Sequence, residues 1–289
     1  MSLEKRAVLI AGPTASGKSA LAIALAHEKG GVVVNADAMQ VYRELRILTA
    51  RPSEEDEAQV PHRLYGHVSG ANAYSVARWL ADATAELEAV WRSGRVPIIT
   101  GGTGLYFKAL EQGLADIPLI PADITQKWRD AKGDLHVELA KRDQGAAARL
   151  NPNDRQRIIR ALEVFEGTGK PLDHWQRAAQ GKAVLAGVAV ERIFLNPDRK
   201  VLHARANERF ARMVKEGAVE EVKALLALGL DPKIPVMKAI GVKQLAAWLS
   251  GWRGLEDAIE AGQTATRQYI KRQLTWWRHQ MPGWEERRA

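Results

Sequence analysis

Gly12-Pro13-Thr14-Ala15-Ser16-Gly17-Lys18-Ser19 carries the spacing G-x-x-x-x-G-K-S. It follows a short apolar run at 7–11 and precedes helical spacing at Leu21, Leu25 and Ala26. Glycines there let the backbone wrap a phosphate, Lys18 adds a mobile cation, and the Ser19 hydroxyl can bind magnesium. A phosphate or pyrophosphate group is the expected ligand, but the loop does not say of what molecule. Asp37 closes a second apolar run, Val32-Val33-Val34, only a short way beyond Lys18. A carboxylate at that place can hold magnesium, act as a general base, or cap a helix. Thr103, inside Gly101-Gly102-Thr103-Gly104 after a third run at 96–100, can offer a hydroxyl to the same pocket.

The elements that must position these groups alternate. Three apolar runs separated by helical spacing imply a parallel sheet whose carboxyl ends carry the functional loops. The expected fold class is α/β, with a P-loop NTPase-like parallel sheet core flanked by helices. After about residue 116 the character changes: Asp116-Ile117-Pro118-Leu119-Ile120-Pro121 reads as a linker and helical patterns dominate beyond it. Ile158, Leu162 and Phe165 share one helix face, which stops near Gly167-Thr168-Gly169-Lys170-Pro171. A returning strand is possible at 188–195. Helices are expected at 202–228 and from about 255 to 280.

Arg205 and Arg209 sit four apart, with Met213 another turn on; they can clamp a phosphate or simply coat a solvated face. Arg157 and Arg160 pose the same alternative. Toward the C-terminus Arg267, Lys271, Leu274 and Arg278 form a stripe with Tyr269, Trp276 and Trp277 interleaved. No acidic residue falls between 261 and 284, so a polyanion finds counter-charge there, although aromatics at this spacing also serve as core. The whole chain carries 42 Lys and Arg against 34 Asp and Glu, which alone is weak evidence for nucleic acid. It has no cysteine, which excludes disulfides and cysteine-ligated zinc. Residues 1–6 hold no run of signal-peptide length, and nothing approaches the roughly 20 apolar residues of a membrane span. A cytoplasmic protein with no membrane partner is expected. On residues alone three readings stand: a group-transfer enzyme, a nucleotide or small-molecule kinase, and an RNA-binding module with a nucleotide switch.

Taken together the motifs resemble the bacterial tRNA dimethylallyltransferase (tRNA isopentenyltransferase) family. The resemblance rests on the 12–19 loop, Asp37-Ala38-Met39-Gln40-Val41-Tyr42-Arg43, Pro61-His62, Gly101-Gly102-Thr103-Gly104-Leu105-Tyr106 and Asn153-Asp154-Arg155-Gln156-Arg157. It continues through Arg205, Arg209 and Met213, Ile240-Gly241 with Gln244, and Lys271-Arg272-Gln273-Leu274-Thr275-Trp276. Ala38 stands where the family usually has serine, Arg51 where lysine is common, and Val242 where tyrosine is frequent. The resemblance implies transfer of a dimethylallyl group from dimethylallyl diphosphate to N6 of the adenosine 3′ to the anticodon of tRNA. It implies Mg2+ as cofactor, with Ser19 as its ligand. The implied catalytic residues are Asp37, Thr103, Lys18 and Arg209, with 12–19 holding the diphosphate. It implies tRNA contact, at the anticodon stem-loop, by Asp37, Ala38, Met39, Gln40, Thr103, Lys127, Gln156, Arg157, Ile158, Ile159 and Arg160. Further contacts are implied at Ala239, Ile240, Gly241, Val242, Lys243 and Gln244, and at Lys271, Arg272, Gln273, Leu274, Thr275, Trp276, Trp277 and Arg278. A helical insertion domain is implied at 117–195, inside a core of 1–116 and 196–289. A monomer is the expected state.

Overall fold

The computed structural model describes residues 4–178 and 183–288. In chain order the first part runs β1 (Arg6–Ala11), α1 (Lys18–Lys29), β2 (Val32–Asn35), α2 (Glu54–Gln59), β3 (His62–Arg63), α3 (Val76–Arg92), β4 (Pro97–Gly101) and α4 (Gly104–Gln112). α5 (Ala122–Asp130), α6 (Leu135–Arg142), α7 (Gln144–Arg149), α8 (Arg155–Thr168) and α9 (Leu172–Ala178) follow. The chain then returns through β5 (Ala189–Leu195), α10 (Arg199–Met213), α11 (Val219–Ala227), α12 (Val242–Leu249), α13 (Leu255–Gln280) and β6 (Glu285–Arg287).

The six strands form one parallel sheet in the order β3-β2-β4-β1-β5-β6. β2 and β4 are buried along their whole length, and β1 is buried beyond Arg6. Runs this apolar need cover on both faces, which is why a parallel sheet, and not a half-solvated antiparallel one, forms here. The register matters for the site. Asn35 pairs with Thr100 and Ala11 with Gly101, so the 12–19 loop, the residues after β2 and the glycine turn after β4 leave the sheet side by side. Only glycine fits at 101: a Cβ there would lie 2.1 Å from the Ala36 carbonyl oxygen. α3 braces this edge. Its buried face, Trp79, Ala83, Leu87 and Val90, follows helical spacing. Trp79 donates to the Asn35 carbonyl at 2.9 Å and stacks on Tyr106 at 4.0 Å.

Two compact units result: residues 1–109 with 187–289, and residues 110–186. The second is helical, its core built from Trp128, Leu135, Leu139, Ile158, Ala161 and Leu162. α8 stops where the sequence predicts, at Gly169 in the left-handed region (φ 68°), whose N–H donates to Phe165. The expected insertion at 117–195 reaches too far at its end and starts too late. Residues 189–195 are sheet: Arg6 pairs with Ala189 and Ala11 with Phe194, and Ile193, Phe194 and Leu195 are buried beside β1. The single helix expected at 202–228 is two, because Gly217 (φ 119°) breaks the helical path between α10 and α11.

α10 and α13 pack closely because position 262 has no side chain. A Cβ at Gly262 would lie 2.1 Å from Phe210 Cζ. Gly262→Ala gains roughly 1 kcal/mol of helix propensity but overpacks a buried ring, which costs about 1–3 kcal/mol. Net destabilisation is expected in urea unfolding, and Phe210→Leu added to the same chain should recover most of it.

Candidate active site

The phosphate-binding loop owes its shape to two left-handed residues, Ala15 (φ 66°) and Gly17 (φ 89°), and to one tight contact. A Cβ at Gly12 would meet Ser16 Oγ at 2.7 Å and the Leu195 carbonyl at 2.9 Å, so glycine is required there. Gly17 is the N-cap of α1 and supplies no side-chain cap, and the first turn of α1 carries no acid. The helix therefore presents amides and the positive end of its dipole to whatever sits in front. Ser16 Oγ and Thr100 Oγ1 are buried and find no hydrogen-bond partner among the described residues. Ser19 is exposed in the first turn of α1, and Lys18 lies half-buried beside it with Nζ 3.3 Å from the Pro13 carbonyl.

Asp37 stands opposite. Its backbone is held by Asn35, whose Oδ1 accepts from Asp37 N (2.8 Å) and whose Nδ2 donates to the Asp37 and Leu64 carbonyls (3.0 Å each). The carboxylate accepts from Met39 N at 2.9 Å and keeps its other oxygen near Gly102. Thr103 Oγ1 accepts from Ala38 N at 2.9 Å, and Thr103 N donates to the Ala36 carbonyl. Asp37 and Thr103 are thus fixed relative to each other by backbone bonds.

A cavity of about 330 Å³ opens between these groups. Thr14, Asp37, Thr103, Arg209, Tyr269 and Arg272 give it polar walls; Met39, Leu48, Phe210, Met213, Ala239 and Ile240 give it apolar ones. The segment carrying Leu48 is clamped. Glu221 of α11 accepts the amides of Arg46, Ile47 and Leu48 at 2.7–2.9 Å, and Gln40 donates to the carbonyls of Thr49 and Ala50. Nothing in the sequence marked Glu221, because an acid on a helix beginning Val-Glu-Glu looks like a solvated charge.

Charge organises the cavity. Burial pushes the Lys18 ammonium down to about 8; Asp37 opposes this and Arg209 adds to it. Burial also lowers the Arg209 guanidinium, again opposed by Asp37. The phenols of Tyr269 and Tyr106 are raised, first by burial and then by the charge on Asp37. Of the α10 pair, Arg209 lines the cavity while Arg205 is exposed.

The residues expected to touch RNA divide. On α13, Lys271, Arg272, Thr275 and Arg278 are exposed, whereas Gln273 and Trp277 are buried. Trp277 is packed among Phe107, Phe194 and Trp284, and Leu274 joins the Leu202, Ala206 and Ile270 cluster. Arg267 ties α13 to α10 through Asn207 at 2.7 Å. Trp276 covers Gly104, where a Cβ would lie 2.1 Å from its ring. Ala239 and Ile240 line the cavity, Gly241 and Val242 are buried, Gln244 accepts from Gly241 N, and Lys243 is exposed. In the helical unit Gln156, Arg157 and Arg160 are exposed and Ile159 is half-buried. Ile158 is core, and Lys127 pairs with Glu166 at 2.7 Å. Ile158, Gly241, Val242, Gln273 and Trp277 are thus buried in the ligand-free chain, because helical and turn spacing turns each of them inward.

A parallel sheet ending on such a loop, with a carboxylate across from it, defines a P-loop-type α/β protein. Profiles narrow this further. The IPP transferase profile matches residues 40–280 and the isopentenyl transferase profile residues 5–70. The chain belongs to the IPP transferase family. It is 54% identical over 288 residues to the tRNA dimethylallyltransferase of Azorhizobium caulinodans, covering 98% of this chain and 92% of the relative. It is 53% identical to that of Agrobacterium fabrum, covering 95% and 94%. Among solved structures, the full-length tRNA isopentenylpyrophosphate transferase of Bacillus halodurans superposes with a TM-score of 0.69 at 35% identity, covering 98% and 90%. A eukaryotic dimethylallyltransferase acting on tRNA gives 0.83 at 30% identity, covering 94% and 70%.

The lowered Lys18 has two measurable consequences. Its folded pKa lies below that of an unfolded lysine, so the ligand-free protein should gain stability as pH rises from about 8 toward the ordinary lysine value of 10.5. Lys18→Met should flatten that rise in pH-dependent unfolding. Binding of inorganic diphosphate at pH 8 should draw a proton onto Lys18, read by calorimetry in buffers of different ionisation enthalpy, and the Met variant should show none.

Proposed function

We propose that this chain transfers the dimethylallyl group of dimethylallyl diphosphate to N6 of the adenosine 3′ to the anticodon in tRNA, releasing diphosphate. The observation that carries this is the lining of the cavity: Thr14 of the phosphate loop, Arg209 and Arg272, a set of apolar side chains, and the carboxylate of Asp37. An allylic diphosphate has that polarity. The C1–O bond breaks, the N6–C1 bond forms, the N6 proton leaves to a base, and diphosphate departs with the charge.

In this reading Lys18, Arg209, the 12–19 amides and the N-terminus of α1 take the charge growing on the leaving diphosphate. Met39, Leu48, Phe210, Met213 and Ile240 exclude water from the allylic carbon. Asp37 accepts the N6 proton, and Thr103 holds the Asp37–Met39 turn and offers its hydroxyl to the diphosphate. Magnesium fits the donor set. No group of three or more His, Cys, Asp or Glu side chains that could hold a metal occurs among the described residues, and the exposed Ser19 hydroxyl sits at the first turn of α1. This ion ordinarily takes a few protein ligands with substrate phosphates and water, and when bound it neutralises diphosphate charge. The adenine must leave its stack to enter the cavity. Exposed Lys271, Arg272 and Arg278, with Arg157, Arg160, Gln156 and Lys127 of the helical unit, supply the RNA contacts. No helix of the described residues is long and apolar enough to cross a membrane; we take the chain to act as a cytoplasmic monomer.

The RNA contacts should be electrostatic. Lys271→Ala with Arg278→Ala should lower the salt slope of tRNA binding by about 0.7–0.9 for each phosphate that is no longer neutralised, while the KM for dimethylallyl diphosphate stays put. An unchanged slope in filter binding would make them ordinary surface charge.

Asp37→Asn keeps shape and hydrogen bonding but cannot take a proton, so kcat should fall roughly 10²- to 10⁴-fold with diphosphate affinity retained. Single-turnover rates with tRNA, and with free AMP as control, measured across a magnesium titration decide the role. Recovery at high magnesium would make Asp37 a metal ligand, and full activity would remove it from the reaction.

A further inference from the structure

We propose that Gln273 is a positioning residue: it fixes the separation between the phosphate-binding loop and the glycine turn after β4, and so sets the seat of the diphosphate, without touching RNA. Its side chain is 5% exposed, although it lies between the exposed cations Lys271, Arg272 and Arg278. Its Oε1 accepts from Thr14 N at 3.0 Å, and its Nε2 donates to the Gly102 carbonyl at 2.9 Å. One amide therefore joins the two loops that bracket the cavity.

The residue type follows from the two partners. One side is a backbone donor, the other a backbone acceptor, and a primary amide offers the complement of both from a single planar group. Glutamate would keep the first bond and set a carboxylate against a carbonyl at the second. Methionine would match the length and leave both backbone groups unpaired. The neighbourhood has been shaped around this bridge. A Cβ at Gly102 would fall 2.4 Å from Nε2, so glycine is required for the amide to reach.

Residues one turn either side face the same region, with Tyr269 lining the cavity beside Thr103 and Trp276 covering Gly104. α13 thus meets RNA on its cationic face and holds the catalytic loops on its opposite face. Gln273 connects this helix directly to the phosphate loop.

This inference rests on reading the cavity as a diphosphate seat, and its test is chosen to separate the two. Magnesium diphosphate binding is measured by calorimetry without RNA, tRNA binding without any diphosphate, and kcat with both substrates. Gln273→Met should weaken diphosphate binding about 10- to 100-fold, as expected when two buried bonds are removed, and lower kcat. Its tRNA affinity and salt slope should stay at wild-type values. Gln273→Glu, which keeps the Thr14 bond, should fall between.

If Gln273→Met lowers the melting temperature but binds diphosphate like wild type, the residue is merely structural and the inference fails. It also fails if tRNA binding weakens while diphosphate binding holds, because that is the signature of an RNA contact. Should the Met variant not fold, Gly102→Ala carries the test, since it disrupts the same bridge with the amide still present. The same fall in diphosphate affinity is expected, and unchanged affinity overturns the proposal. A wild-type chain that binds diphosphate yet prenylates no RNA would remove the proposed activity and leave the role of Gln273 standing.

Discussion

A single carboxylate holds this site together electrically. A diphosphate seat needs concentrated positive charge, and Asp37 offsets the burial that lowers both Lys18, at the uncapped N-terminus of α1, and Arg209. The same group is the proton acceptor of the proposed reaction. Its position is fixed by hydrogen bonds with the Asn35 side chain and the Met39 amide, not by a salt bridge that the ligand would have to break. In the proposed reaction charge balance and proton acceptance would share one carboxylate, and the turns after β2 and β4 hold it in place.

Keeping such a site has a thermodynamic cost that the fold absorbs elsewhere. A lysine pushed down by burial, two buried hydroxyls without partners and an alanine in the left-handed region are each less stable than the alternatives a neutral loop would choose. They cluster within a few residues of the phosphate loop or beside it at the end of β4. The offset comes from the sheet below, where β1, β2 and β4 are almost wholly apolar and covered, and from Trp79, fully buried with its N–H satisfied. Strain and support occupy different layers of the same domain.

Much of this was readable in the chain beforehand because chemistry dictated the spacing. Gly12, Gly17, Lys18 and Ser19 must stand where they do for a backbone to wrap phosphate, and Asp37 and Thr103 follow strands whose apolar runs are unmistakable. What stayed hidden depended on long-range placement. Arg205 and Arg209 have the same local signature, and only the packing of α10 on α13 decides which one reaches the cavity. Gln273 lies in a basic stripe and points away from it. Glu221 gains its role from a loop more than 170 residues earlier. Residues 188–195 read as a strand, but only their pairing with β1 shows that they belong to the sheet and not to the insertion. Periodicity reports which face is apolar, not which distant backbone atom will need a partner.

The pairing of β1 with β5 reaches beyond the site. Arg6 and Ala189 are neighbours in the sheet but are separated in sequence by three strands and by the whole helical unit, and β6 adds a partner from 285–287. Contacts of such sequence separation are slow to form, since a long loop must close before they yield anything. During synthesis β1, β2 and β4 would emerge early and wait, with one side of β1 open until β5 arrives. The helical unit, contiguous from 110 to 186 and stabilised by nearby contacts, is free to order itself meanwhile. The phosphate loop, whose Gly12 packs against the Leu195 backbone, therefore takes its final shape only after two thirds of the chain has been made.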